Sequence, residues 1–172
     1  TMTELGLAGA VFMMFAHGIL SPAMFMVAGV LYHQVGTRDI PKLGGLATHQ
    51  PNTAGVFVVI FMGSLGLPGM AVFVAELSVF IAFFESHGYW LLLPISGMVL
   101  TAGYHLWALQ RAIFGPDSKQ IDVNHVHEAT WYEMYPMFSL ILVATLFGIF
   151  PHYIMDPITV ACYDILNFMG VA

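Results

Sequence analysis

Charged side chains are scarce in this sequence, and their scarcity excludes an ordinary water-soluble domain. Only 8% of the 172 residues are Asp, Glu, Lys or Arg, whereas 59% are apolar, and the mean hydropathy is +0.82. A soluble domain carries about 25% charged residues. Because so few charges cannot cover the outside of a folded chain in water, the sequence predicts a protein embedded in lipid.

Basic residues and cysteine are scarcer still. Four Lys and Arg against ten Asp and Glu give a formal net charge of −6, which leaves no basic surface for nucleic acid. The single cysteine, Cys162, excludes an internal disulfide. The sequence shows no signal peptide, phosphate-binding loop, dinucleotide fingerprint or nucleophilic triad. It runs at once into an apolar segment, and we expect it to be part of something longer, either a split gene or a portion of a larger chain.

Long apolar runs predict an all-α, polytopic membrane bundle with four transmembrane helices. A helix needs ~20 apolar residues to cross a hydrocarbon layer of ~30 Å. The predicted spans are residues 5–31, 52–84, 90–114 and 132–150. Asp156 and Pro157 then predict the N-cap and first position of a short terminal helix, which would end near Phe168 and lie on the membrane surface.

The second apolar run is too long for one straight span, since its 33 residues would make a helix about 50 Å long. Residues 63–69, with the sequence GSLGLPG, contain three glycines and a proline. These residues weaken helix propensity and remove a backbone donor. We therefore predict two half-helices joined by an unwound break at Gly66, Pro68 and Gly69. Unwound backbone within a membrane needs protein or water around it, so we expect water near the break.

The basic residues also predict the orientation. Arg38 and Lys42 lie between the first two spans, and Arg111 and Lys119 lie at the end of the third span and just beyond it. Four spans place these two connections on one side of the membrane. The positive-inside rule makes that side cytoplasmic, with both termini on the opposite side.

Glu76 is the one acidic residue that this pattern places within the hydrocarbon layer, because the other nine lie in loops or at span ends. It follows Pro68 by eight residues, or about 12 Å along a helix axis. A carboxylate at mid-depth costs a few kcal/mol unless it is protonated, paired or hydrated, and such acids mark ion or proton pathways. Glu76 is therefore a candidate for proton transfer. The alternative is a protonated acid bonded to a neighbouring backbone carbonyl.

Two histidines within the spans are further candidates for proton transfer. His17 lies mid-way along the first span, where Pro22 removes the amide that would have bonded the carbonyl of Gly18. His105 lies on the third span, one turn after Thr101. Histidine titrates near neutral pH and can pass a proton through its two nitrogens. Both are candidate relays, and the alternative is that each is a satisfied buried histidine.

The loop sequence His125-Val126-His127-Glu128 is the one arrangement that suggests a metal site. Two histidines at this spacing, with no cysteine nearby, fit a solvated loop better than a metal centre. We therefore expect no metal in this chain.

Several motifs together resemble the antiporter-like subunits of respiratory complex I. They are AHGIL and AGVLY at residues 16–20 and 28–32, TRDI and GGL at 37–40 and 44–46, and LGLPG and FVAE at 65–69 and 73–76. The last pair resembles the chain 4, or M-type, subunit in particular, since the related chain 5 and chain 2 types and cation/proton antiporters usually place a lysine near Glu76. Two residues depart from the pattern. His33 replaces a common acidic residue, which puts a loop ion pair in doubt, and Val72 replaces a glycine beside the break.

The resemblance implies that residues 1–172 are the C-terminal part of a proton-translocating subunit, the last four of about fourteen spans. Glu76 would be the terminal proton-loading carboxylate and His17 a central relay, and the break would admit water. The chain would act as an enzyme only as a subunit of a proton-pumping oxidoreductase, with redox chemistry on other subunits and no cofactor here.

The expected partners are the missing N-terminal part, the other membrane subunits and the lipid bilayer of a prokaryotic cytoplasmic membrane or an equivalent energy-transducing membrane. The electron donor, whether NADH, ferredoxin or a deazaflavin, stays open. Two alternatives are a cation/proton antiporter subunit and a structural membrane scaffold.

Overall fold

The computed structural model describes residues 2–119, 121 and 126–170, and within these ranges it contains helices and no strand. The all-α class is therefore confirmed. Two short 3₁₀ turns, Ile40–Lys42 and Gly88–Leu91, accompany the α-helices. The α-helices are α1 (Glu4–Val35), α2 (Leu46–His49), α3 (Pro51–Ser64), α4 (Ala71–His87), α5 (Leu92–Ala112), α6 (Trp131–Ile149) and α7 (His152–Phe168).

The first helix has a cap at each end. The side chain of Thr3 accepts a hydrogen bond from the amide of Gly6 at 3.2 Å, and at the other end Gly36 adopts a left-handed conformation with φ of 70°. The amide of Gly36 donates to the carbonyl of Tyr32, which closes the last turn. The helix therefore runs one turn beyond the predicted end of the first span, and Pro22 lies within it without ending it.

Six non-helical residues, 65–70, separate α3 from α4. Gly66 and Gly69 both have positive φ, 77° and 95°, which glycine adopts without steric cost. The turn is held by short-range bonds, in which the amide of Leu67 donates to the carbonyl of Met62 and the amide of Met70 donates to that of Leu67. The chain thus leaves one helix and re-enters another over a short distance.

The terminal helix begins earlier than the sequence suggested, so the prediction of Asp156 as its N-cap is wrong. The carbonyl of Pro151 accepts hydrogen bonds from the amides of Ile154 and Met155, at 3.0 and 2.8 Å, and these bonds start α7 at His152. Pro157 then lies inside the helix and costs one backbone hydrogen bond.

The first helix is central, since it contacts α3, α4, α6 and α7. Phe12 and Ala16 of α1, Ala71 and Ala75 of α4 and Ala144 of α6 are buried together in one apolar cluster. Small residues here let the helices approach closely, as is common in membrane bundles. This cluster lies beside the interruption between α3 and α4 and fixes the position of α4 against α1.

Three helical stretches within the described ranges are long and apolar enough to cross a membrane: Glu4–Val35, Ala71–Ala112 and Trp131–Ile149. The second includes both α4 and α5, with the turn Gly88–Leu91 between them. Pro51–Ser64 is apolar but shorter. The stretches of spanning length therefore differ in number from the four predicted spans.

Candidate functional site

A cavity of about 540 Å³ is lined by polar side chains from four helices. All three residues predicted to transfer protons line it, Glu76 from α4, His17 from α1 and His105 from α5. The other polar residues in its wall are Ser21, Ser64, Thr101 and Tyr104. Val72, the departure beside the break, is buried and also lines the cavity.

The carboxyl group of Glu76 lies against the interruption between α3 and α4. A Cβ atom built on Gly66 would collide with Oε2 of Glu76, so a side chain at Gly66 would displace the carboxyl group. Helical side chains tilt towards the N-terminus of their helix, which directs Glu76 back over the first turn of α4. The carboxyl group therefore lies closer to the break than the distance of about 12 Å expected from the position of Glu76 along the helix axis. Oε2 is buried and has no hydrogen-bond partner among the described residues.

The ring of His17 contacts a hydroxyl group on its own helix. Oγ of Ser21 lies 3.1 Å from Nε2 and 3.3 Å from Nδ1 of His17. The two residues are four positions apart and so share one face of α1. His17 itself is exposed to the cavity. Ser21 thus supplies a local partner for the histidine at a point where Pro22 interrupts the backbone bonding of α1.

His105 connects α5 to the last residue of α3. Its Nδ1–H donates to the carbonyl of Thr101 at 3.0 Å, and its Nε2 lies 3.2 Å from Oγ of Ser64. The ring of Phe61 packs edge-on to the imidazole at 5.7 Å, and the ring of Tyr104 lies at 4.6 Å. The histidine is therefore held by contacts on both nitrogens and between two aromatic rings.

Sequence reasoning missed the two serine hydroxyl groups that contact the histidines of this site. Ser21 could have been found, because it stands four residues after His17 on a helix. Ser64 gave no such signal, since it is 41 residues from His105 and their contact depends on how α3 and α5 pack.

Glu128, considered above as part of a loop metal site, instead anchors the start of α3. Its carboxylate accepts hydrogen bonds from the amides of Asn52 and Thr53, at 2.9 and 2.8 Å, and from the hydroxyl of Thr53 at 2.6 Å. Burial opposes ionisation, but these hydrogen bonds outweigh it and lower the pKa of Glu128. His125 lies outside the described residues. Within the described part of the chain, no three His, Cys, Asp or Glu side chains are placed to share a metal ion.

His33, the other departure, has an acidic partner elsewhere in the fold. Its Nδ1 lies 2.9 Å from Oε1 of Glu133 in the first turn of α6. The contact joins the end of α1 to the start of α6. A histidine–acid contact is therefore present at this position, with the histidine on α1 and the acid on α6, and it is an ion pair when His33 is protonated.

Comparison with known proteins decides the family. Residues 1–101 match the family described as NADH:quinone oxidoreductase/Mrp antiporter, TM. The chain belongs to this family. It is an integral, multi-pass membrane protein of the antiporter-like type, and the M-type resemblance is confirmed by the relatives that it matches.

Three curated relatives show how far the likeness extends. The F(420)H(2) dehydrogenase subunit M of Methanosarcina mazei is 37% identical over 90% of this chain and 31% of its own length. The NADH-quinone oxidoreductase subunit M of Rhodobacter capsulatus is 33% identical over 88% of this chain and 29% of its own. The NAD(P)H-quinone oxidoreductase chain 4 1 of Synechococcus elongatus is 36% identical over 94% of this chain and 30% of its own. The chain thus spans about a third of these antiporter-like relatives.

Two solved structures share the fold. A chain of respiratory complex I from Thermus thermophilus superposes with a TM-score of 0.85 and 25% identity, over 96% of this chain and 35% of that one. A chain of the Mrp complex from Dietzia sp. superposes with a TM-score of 0.78 at 18% identity, over 98% of this chain and 40% of that one, which shows a shared fold alone.

Proposed function

We propose that this chain forms part of the proton path in an M-type subunit of a complex I-like respiratory dehydrogenase, and that Glu76 binds and releases the translocated proton. The observation that carries the proposal is the placement of Glu76. Its Oε2 is buried without a hydrogen-bond partner among the described residues, beside a helix interruption and in the wall of a cavity that His17 and His105 also line. A carboxyl group that no hydrogen-bond donor holds in the charged form can load a proton, and carboxyl groups within a membrane mark proton pathways.

The interruption is part of the proposal. At 14 residues α3 is about 21 Å long, which is too short to cross the hydrocarbon layer alone. We propose that α3 and α4 are the two halves of one discontinuous span, which gives four spans with α1, α5 and α6. Helix ends inside a membrane present carbonyl and amide groups to ions and water. The carboxyl group of Glu76 lies against such an end.

His17 and His105, which line the same cavity as Glu76, are assigned as relays in this proposal. Each ring has a hydroxyl group within hydrogen-bond distance, Ser21 for His17 and Ser64 for His105. Such pairs can hand on a proton through short rotations of the hydroxyl group. The lining of the cavity by all these groups supports a continuous hydrated path between them.

The redox reaction is assigned to other subunits. The relatives carry names with different electron donors, F(420)H(2), NADH and NAD(P)H, although each of them matches about nine-tenths of this chain. Related membrane subunits thus occur with different electron donors. This fits a role in proton transfer better than a role in oxidising the electron donor. The partners proposed for this chain are accordingly the rest of its own subunit and the neighbouring membrane subunits.

The test is the variant Glu76→Gln in a complex that contains the full-length subunit. Glutamine keeps the size of the side chain but carries no exchangeable acid proton, so we expect proton uptake into vesicles to be abolished or sharply reduced. Electron transfer, which is coupled to uptake, falls with it. The matched control is Glu85→Gln, the same change on the same helix at an exposed position, which leaves uptake unchanged.

Assembly of each variant is checked on a native gel. Wild-type proton uptake by an assembled Glu76→Gln complex would overturn the proposal and favour a structural scaffold. Exchange of Na⁺ for protons without any electron donor would instead favour a cation/proton antiporter, the second function that the family description includes.

A further inference from the structure

We infer that Ser64 is a positioning residue for His105, and that its hydroxyl group turns between two acceptors according to whether His105 carries one proton or two. The inference rests on the proposed role of this cavity in proton transfer. It assigns a specific function to the last residue of α3, which stands directly before the interruption.

The contacts of His105 fix where its first proton lies. Nδ1 is 3.0 Å from the carbonyl oxygen of Thr101, and a carbonyl can only accept a hydrogen bond. Nδ1 therefore carries a proton in every state of the ring. The second proton can only be added at Nε2, the nitrogen that lies 3.2 Å from Oγ of Ser64.

The contacts of Ser64 give its single proton a choice of two acceptors. Oγ lies 2.8 Å from the carbonyl of Phe61 and 3.2 Å from Nε2 of His105. When His105 is neutral, Nε2 is an acceptor, and the hydroxyl can donate either to it or to Phe61, but not to both. When His105 holds two protons, Nε2–H donates to Oγ and the hydroxyl donates to Phe61, so that every donor has an acceptor.

The turning of the hydroxyl group does not require α3 to unwind. The carbonyl of Phe61 also accepts a hydrogen bond from the amide of Leu65 at 3.2 Å, so it keeps a partner when Ser64 turns away. Both protonation states of His105 can therefore exist with the helices in one arrangement. A relay needs this property, because each proton would otherwise have to wait for a slow movement of the backbone.

Other titratable groups share the cavity and set the context for His105. They are His17 on α1, Glu76 on α4 and Tyr104 on α5, while α3 carries no titratable side chain. Within the described residues, Nε2 of His105 makes no hydrogen bond to any of these three groups, and Ser64 is its side-chain partner. Loss of the hydroxyl group thus acts on His105 directly.

The test compares Ser64→Ala with Ser64→Thr in the assembled complex. The net contribution of a typical hydrogen bond in a protein corresponds to a factor of roughly three to ten, so we expect Ser64→Ala to lower proton uptake by about that factor. Without Oγ of Ser64, the doubly protonated ring of His105 has no acceptor for Nε2–H and is harder to form. The loss of uptake should therefore be larger at alkaline pH, where protons are scarce, than at acid pH. Ser64→Thr keeps the hydroxyl group and should restore most of the uptake and the wild-type pH profile.

A matched control comes from α5. The hydroxyl of Ser96 makes the same kind of bond to its own helix, to the carbonyl of Leu93 at 2.7 Å, but it is exposed and faces no histidine. Ser96→Ala should leave uptake and its pH profile unchanged. If Ser64→Ala does not assemble, Ser64→Cys keeps the volume with a weak thiol donor and should show the same pH-dependent loss.

The double variant Ser64→Ala/His105→Gln decides whether Ser64 acts through His105. We expect it to pump as slowly as His105→Gln alone, since the hydroxyl has no ring left to serve. Two losses that multiply, or an assembled Ser64→Ala complex with wild-type uptake at every pH, would overturn the inference. Failure of the proposed function is a separate result, because it would appear as wild-type uptake in Glu76→Gln.

Discussion

The carboxylates at the loop end of the bundle differ sharply from the one beside the helix interruption. Glu128 accepts three hydrogen bonds at the start of α3. Glu133 accepts two from Thr130, at 2.9 and 2.6 Å, and contacts His33. Glu76 lies in the wall of the cavity with a buried oxygen that has no partner among the described residues. Hydrogen bonds therefore hold the carboxylates of Glu128 and Glu133 in place, whereas Oε2 of Glu76 has no such bond among the described residues.

The difference separates structural acids from the candidate proton carrier. Hydrogen bonds to a carboxylate stabilise its charged form, so Glu128 and Glu133 gain most by staying ionised. Glu76 lacks such donors among the described residues, so hydrogen bonds do not hold its carboxyl group in the charged form. Fold stability should accordingly depend on Glu128 and Glu133. Proton transfer should depend on Glu76 and on the turn between α3 and α4 that its carboxyl group contacts.

Gly66→Ala should have the largest effect, because it moves the carboxyl group of Glu76. Gly66 has a φ of 77°, and an added Cβ would collide with Oε2 of Glu76. We expect proton uptake to fall nearly as far as in Glu76→Gln. The measurement is uptake per assembled complex in vesicles.

Gly69→Ala is the control that isolates this contact. Gly69 also has a positive φ, 95°, but a Cβ there would meet no atom within 4 Å. The backbone cost of about 1–2 kcal/mol is therefore common to both variants, and only Gly66→Ala displaces the acid. Equal uptake by the two assembled variants would show that the position of the carboxyl group does not matter.

The sequence predicted the parts of this site that depend on local pattern. Glu76 was selected as a candidate because a charge stands alone in an apolar run. An interruption was predicted because glycine and proline cluster at residues 63–69, and residues 65–70 are non-helical in the structure. The contacts that give these residues their setting were not predictable. Ser64 contacts His105 at a sequence separation of 41 residues, and Glu128 contacts Thr53 at a separation of 75. No local sequence pattern predicts contacts between residues so far apart in the chain.

The start of α7 was missed for a different reason. Asp156 followed by Pro157 is a good local signal for a helix start. Pro151, earlier in the chain, also favours a helix start, and it occupies the N-cap of α7. The carbonyl of Pro151 is taken by two amides, so the helix has already formed when the chain reaches Asp156. Competition between two valid local signals cannot be decided from their residues alone.

Glu128→Ala should reduce stability and leave the proton-transfer groups intact. The change removes all three hydrogen bonds at the start of α3, a loss comparable to that of a helix cap, about 1 kcal/mol. We expect a lower thermal unfolding temperature of the purified complex at neutral pH. The exposed neighbour His127 is the control, and His127→Ala should leave that temperature unchanged.

The pH dependence of the Glu128 effect follows from its lowered pKa. A carboxyl group with a folded-state pKa below its ordinary value of 4.5 stabilises the protein fully above that value, and the contribution is lost as pH falls through the folded-state pKa. The difference between wild type and Glu128→Ala should therefore be constant near neutral pH and shrink in acid. A difference that grew on acidification would contradict the assignment of Glu128 as an ionised anchor.

The smallest effect should come from His33, although its partner Glu133 should matter more. The side chain of His33 is 68% exposed and that of Glu133 is 17% exposed, so the pair itself contributes at most about 1 kcal/mol. Glu133 also completes the capping box of α6 with Thr130, which His33 does not. Glu133→Ala should therefore lower the unfolding temperature more than His33→Ala does.

Salt screens exposed charges, so the His33→Ala effect should vanish at about 1 M salt while most of the Glu133→Ala effect persists. Equal losses in the two variants, both removed by salt, would mean that the start of α6 depends on the ion pair and not on its cap.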